Sequence, residues 1–141
     1  VDGNLPVNDP LMNGETSLAL DSSGAVLHAT GPGGPGGAPL TAVVFMCSAG
    51  GVGWPEVIGL FDANLNPVGT IDLGIIDQQE HSGVRSLEFA GASLHVQWVT
   101  NDACHGGADV SVPRSADFAM SPDGSVSMSY LTTGTSPNPC N

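Results

Sequence analysis

The chain has no lysine, and Arg85 and Arg114 are its only permanent cations against 14 Asp and Glu, for a formal charge of −12 over 141 residues. Phosphate backbones are held largely by Lys and Arg, so nucleic acid is not an expected partner. Anionic lipid headgroups are disfavoured by the same deficit. No apolar run approaches the roughly 20 residues that cross a bilayer. The best stretch, residues 41–46, stops at Cys47, Ser48 and a glycine cluster, so direct membrane insertion is not expected either. The chain also opens at Val1 without an initiator Met or a charged-then-apolar leader. That is the pattern of an export signal already removed or a trimmed chain.

What is abundant points one way. Glycine (20) and proline (11) accompany 40% apolar residues, which suits many short strands joined by tight turns better than long helices. A chain of this length buries roughly 65–70% of its unfolded surface, enough for one core and one domain. Of the three cysteines, Cys47 and Cys104 lie at ends of expected strands beside glycines. Their disulfide is the expected pairing, which leaves Cys140 over and implies a secreted or cell-surface setting. Three reduced, partly buried thiols are the cytoplasmic alternative.

Residues 1–15, with Pro6 and Pro10, read as an extended N-terminal arm; residues 16–131 as the β-domain; residues 132–141 as a C-terminal tail. Within the domain, 16–20 and 25–30 flank the turn formers Asp21-Ser22-Ser23-Gly24 as a first hairpin. Residues 31–39 (GPGGPGGAP) read as a surface loop or linker. Residues 40–47 form the most apolar run, without alternation, and are expected to be a central strand covered on both faces. Residues 57–61 and 68–73 flank a turn at 62–67, and 84–89 and 93–100 flank one at 90–92. In the last of these, Leu94, Val96 and Trp98 alternate with Ser93, His95 and Gln97, so one face is buried. A short strand at 110–112 and a hairpin of 115–120 with 125–131 across Ser121-Pro122-Asp123-Gly124 complete the set. Successive hairpins predict an all-β fold, an antiparallel β-sandwich or small barrel.

The segment Cys47-Ser48-Ala49-Gly50-Gly51-Val52-Gly53-Trp54-Pro55-Glu56 resembles the C-x-A-G-G-x-x-W-P stretch of uncharacterised secreted or lipid-anchored actinobacterial domains. The similarity continues through Leu60-Phe61-Asp62, Val68-Gly69, Ile71-Asp72-Leu73-Gly74, Val96-Gln97-Trp98 and Cys104, over about residues 40–130. The layout is also similar to small mycobacterial lipoproteins of the LppP and LprE type. Export and a cell-envelope setting are what the resemblance implies; it carries no activity and no catalytic residues. The chain shows no N-terminal Cys that would take a lipid anchor.

Few residue patterns point to chemistry. Asp62-Ala63-Asn64-Leu65-Asn66 opens like a calcium loop, but Pro67 stands where Gly belongs and Leu73 where a bidentate Glu belongs, so an Asx-stabilised turn is expected. Cys104, His105 and Asp109 gather donors in one loop, yet adjacent Cys and His rarely ligate together, and no metal or other cofactor is expected. Ser48 lacks the G-x-S-x-G context of a nucleophile. Carboxylate pairs such as Asp77 with Glu80, or Asp102 with Asp109, have no distinguishing spacing. Trp98 is in phase with the core, whereas Trp54 follows glycines and is expected as a lid over the Cys47–Cys104 region. Trp54, Pro55 and His105 are therefore the expected binding surface.

The function expected from the sequence is that of an exported, non-catalytic module binding a protein or envelope partner. The alternative is a structural or accessory subunit of a larger extracellular assembly such as a fibre, virion or envelope complex. Homo- or hetero-assembly would then run through the termini.

Overall fold

The computed structural model describes residues 4–5, 14–49, 52–53, 55–78, 81–101 and 110–136. Its strands are β1 (Asn4–Leu5), β2 (Gly14–Leu18), β3 (His28–Gly31), β4 (Leu40–Ala49), β5 (Val52–Gly53), β6 (Val57–Phe61) and β7 (Pro67–Asp72). A short helix α1 (Leu73–Asp77) leads to β8 (Ser82–Ala90), β9 (Ser93–Asn101), β10 (Val110–Met120) and β11 (Val126–Thr133). One antiparallel sheet has the order β1-β2-β4-β6-β7, with β3 and β5 also on β4; the other runs β11-β10-β9-β8. They pack face to face as a β-sandwich rather than closing into a barrel.

Period-two alternation explains the core. Leu40, Ala42 and Val44 of β4, Ile58 and Leu60 of β6 and Ile71 of β7 point inward from the first sheet. Leu94, Val96 and Trp98 of β9 and Ala116 and Phe118 of β10 meet them from the second. β4 is central in its sheet, but it is not covered on both faces. Thr41, Val43 and Phe45 are only half-buried, and Phe45 shares the outer side with Phe61, ring centroids 6.2 Å apart.

The expected first hairpin is corrected by the pairing. β2 lies along residues 49–45 of β4, β3 along residues 43–40, and both are antiparallel to it. They act as one strand interrupted by residues 19–27, so the expected hairpin forms only at its tip, through the bridge Leu20↔Val26 and the bonds of Leu27 N–H to the Ala19 carbonyl and Asp21 N–H to the Ala25 carbonyl. The Asp21 carboxylate accepts from the Ser23 and Ala25 N–H groups and closes that excursion locally. The second and third expected hairpins form as β6–β7 and β8–β9. The two short strands expected at 110–112 and 115–120 are one eleven-residue strand, β10, with a register shift between Val110 and Val112 just before Pro113.

Residues 31–39 form a packed loop, not a linker. Gly34 N–H donates to the Ala38 carbonyl (2.9 Å), and Phe89 of β8 fills the space beside Gly31 and Gly33. A Cβ at Gly33 would stand 2.3 Å from Phe89 Cε1, so this approach of backbone to ring requires glycine. The arm is not wholly irregular, since Asn4 and Leu5 pair with Ser17 and Thr16. The last strand likewise runs two residues into the expected tail.

Candidate functional site

β4 runs from Leu40 at one end of the sandwich to Cys47 and Ser48 at the other, where β8 begins. Two polar clasps hold the sheets together there. Glu56, placed just before β6, donates its N–H to the Ser82 carbonyl (3.1 Å) and accepts the Val84 N–H at Oε2 (2.5 Å). Its side chain thereby spans from the first sheet to the second. Burial pushes its carboxyl above the ordinary range, opposed by the Val84 N–H and the Arg85 charge.

The second clasp is centred on Asp77. Asp72 caps α1 by accepting from Gly74 and Ile75 N–H, and the single turn that follows delivers Asp77 into the interior. Its Oδ2 accepts from Ser82 Oγ (2.6 Å) and Trp98 Nε1 (2.8 Å). Its Oδ1 lies 3.0 Å from Arg114 Nη1, with the Asp77 side chain fully buried. Neither Asp77 Oδ1 nor Arg114 Nε has an aligned hydrogen-bond partner, so attraction here is mainly one of charge. Thr100 Oγ1 donates to the His81 carbonyl, and the Asn101 side-chain oxygen accepts the His81 N–H.

Beside these clasps an open cleft of about 320 Å³ lies between the sheets, lined among others by Cys47, Glu56, His81 and Arg85. Leu20 and Met46 form its apolar rim and are 55% and 44% exposed. Arg114 is tied to Asp77, whereas Arg85, on the shifted register between Val84 and Ser86, is exposed and makes no ion pair among the described residues. The Cys47 thiol has no disulfide partner among the described residues and lies 3.8 Å from Thr16 Oγ1. Among the described residues no hydrogen bond joins it to an imidazole or a carboxylate.

Of the residues singled out from sequence, Cys47 thus lines the cleft, and Pro55 packs half-buried against Gly74 of α1, next to Glu56. Trp54, Cys104, His105 and Cys140 lie outside the described residues. The loop with calcium-like spacing is an Asx turn: Asp62 Oδ1 accepts the Asn64 and Asn66 N–H groups at 2.8 and 2.9 Å. Sequence reasoning missed Glu56, Asp77, Arg85 and Arg114. For Arg114 a signal existed, because it precedes Ala116 and Phe118 in the inward phase of β10. Comparison with known proteins finds no matching family model, curated sequence or solved structure.

Proposed function

We propose that this chain is an exported, non-catalytic binding module of the cell envelope or extracellular space, with the Arg85 cleft as its ligand-facing site. The observation that supports it is the meeting, in one open cleft, of the Arg85 guanidinium, which makes no ion pair among the described residues, with the exposed apolar side chains Leu20 and Met46. A convergent polar group set against apolar walls is the usual make-up of a recognition site. The carboxyl and amide groups around it are engaged in joining the sheets, so the cleft has a fixed shape before any ligand arrives. The resemblance around Cys47 to Glu56 to secreted actinobacterial domains supports the exported setting.

Immobilised protein and an Arg85→Gln/Met46→Gln variant, offered the same envelope and culture-medium fractions of the native host, provide the test. A component retained by the wild type and lost by the variant supports the cleft. Equal retention by both removes it from consideration.

A second reading, an accessory subunit of an extracellular assembly, is favoured by one observation. Both terminal regions supply outer strands: β1 is one edge of the first sheet and β11 one edge of the second. Open edges accept further strands. Oligomers that survive removal of residues 1–13 and 134–141 together with Ser127→Lys/Ser129→Lys on the edge strand β11, measured by light scattering, would count against assembly through the termini.

A further inference from the structure

At the end of the sandwich opposite the Arg85 cleft, three loops meet around a second groove. Residues 31–39, the β6–β7 turn at Asp62 and the β10–β11 turn at Asp123 line an open space of about 350 Å³. Pro35, Pro39, Leu40, Val68, Met120 and Pro122 supply apolar walls, and the acidic residues Asp62 and Asp123 line it among them. We propose that this groove is a docking site for a protein partner, which inserts one basic side chain, Lys or Arg, carried on an apolar stretch of its surface. The site is independent of the Arg85 cleft.

Charge selects the occupant. Asp62 is held ionised by Asn66 and Asn64 and Asp123 by Ser125, each carboxyl lying below its ordinary range because of those hydrogen bonds. Asp123 uses only Oδ1 for its turn, taking both the Ser125 N–H and its hydroxyl. With 14 acids and no Lys in the chain, nothing of its own sequence is well suited to neutralise this end. A long basic side chain matches both features at once, because its methylene stem lies along apolar surface while its head stays at the carboxylates.

Size and surroundings separate a macromolecular partner from a free amine. The groove is near the small end of ligand pockets and takes about one long side chain. The same loops carry further exposed apolar residues, Pro32, Leu65 and Pro67. The walls are also rigid: Phe89 packs against Gly31 and Gly33 behind the loop, and both turns are locked by their own Asp. Little ordering is left for binding to impose.

The test uses the full chain, labelled with nitrogen-15, and two blocked tripeptides, Leu-Arg-Leu and Leu-Glu-Leu. Leu-Arg-Leu is expected to shift the amide resonances of Gly34, Asp62 and Gly124, and Leu-Glu-Leu to leave them in place. The double variant Asp62→Asn/Asp123→Asn keeps acceptors for both turns but loses the charges, and is expected to weaken Leu-Arg-Leu binding about tenfold or more. If that variant does not fold, Ala38→Phe, which projects a ring into the groove from an exposed position, is expected to abolish the shifts. Equal response to both peptides, unchanged affinity in either variant, or no shift at all would overturn the proposal. So would butylammonium alone binding as tightly as Leu-Arg-Leu, since the occupant would then be a free amine.

Discussion

Arg114 Nη1 lies 3.0 Å from Asp77 Oδ1, so one of two arginines in a chain of net charge −12 is turned inward between the sheets. Asp77 is not merely its counter-ion. It also holds the indole of Trp98 and the hydroxyl of Ser82, joining α1, β8, β9 and β10 through one carboxylate.

Removing one member of such a buried pair leaves the other charge uncompensated, which typically costs about 3–5 kcal/mol. Asp77→Ala is expected to lose that much in urea unfolding. Asp77→Leu/Arg114→Met, which removes both charges, should lose much less than the two single changes added. A loss below about 1 kcal/mol for Asp77→Ala would mean that water takes over the role of the carboxylate.

Glu56 sets a pH dependence of definite sign. Its carboxyl is raised by burial above the ordinary value of 4.5, so the folded chain binds this proton more tightly than the unfolded chain does. The contribution of Glu56 to stability is therefore greatest below that value and declines as pH rises through the raised folded one. Glu56→Gln keeps an acceptor for the Val84 N–H and removes the ionisation. The melting temperature of the variant relative to wild type is expected to be higher at about pH 7 than at about pH 4. The lowered carboxyls of Asp21, Asp62 and Asp123 act oppositely, losing their contribution as pH falls, but they are common to both proteins and cancel in the difference. A difference that does not change with pH would refute this role for Glu56.

The loop at 31–39 is expected to resist even a methyl group. Gly33→Ala places a Cβ 2.3 Å from Phe89 Cε1. Overpacking of that kind costs about 1–3 kcal/mol. Combining it with Phe89→Leu should recover part of the loss, a non-additivity readable in denaturant midpoints. Strict additivity would show that loop and ring do not press on each other.

The Cys47–Cys104 disulfide remains an expectation with a direct check. Cys47 lines the same cleft as His81, and His81 is hydrogen-bonded to Asn101, three residues before Cys104 in sequence. Non-reducing peptide mapping of protein from an oxidising compartment is expected to yield a Cys47–Cys104 cross-link. Closing a loop of that length would stabilise the fold by about 4 kcal/mol. Three alkylatable thiols in that material would remove both the disulfide and one support for export.

Local patterns were legible where a physical rule acts within a few residues. The alternation Leu94, Val96, Trp98 gave the buried face of β9, and the Asp62 and Asp123 turns announced themselves through Asn, Pro and Gly. Pairing over long distances was not. Nothing within residues 16–30 says that both short strands prefer β4 to each other, because the ladder partners lie outside that segment, from 9 to 35 residues away. Glycines at 31, 33 and 34 look alike as linker composition, yet two of them are required by a ring in β8. Arg114 and Asp77 meet only because α1 and β10 are brought together by everything between them.

The excursion at residues 19–27 has a practical side. Leu27 N–H donates to the Ala19 carbonyl (2.8 Å), and the two flanks rejoin β4 through bonds of Ala19 and Leu27 to Val44, so the ladder is already complete without residues 21–25. Those residues are exposed, and lengthening a surface loop costs only about 0.6 kcal/mol per doubling. The seam between Ser22 and Ser23 is therefore a natural port for an epitope or fluorophore, at which the sandwich would carry cargo without repacking its interior.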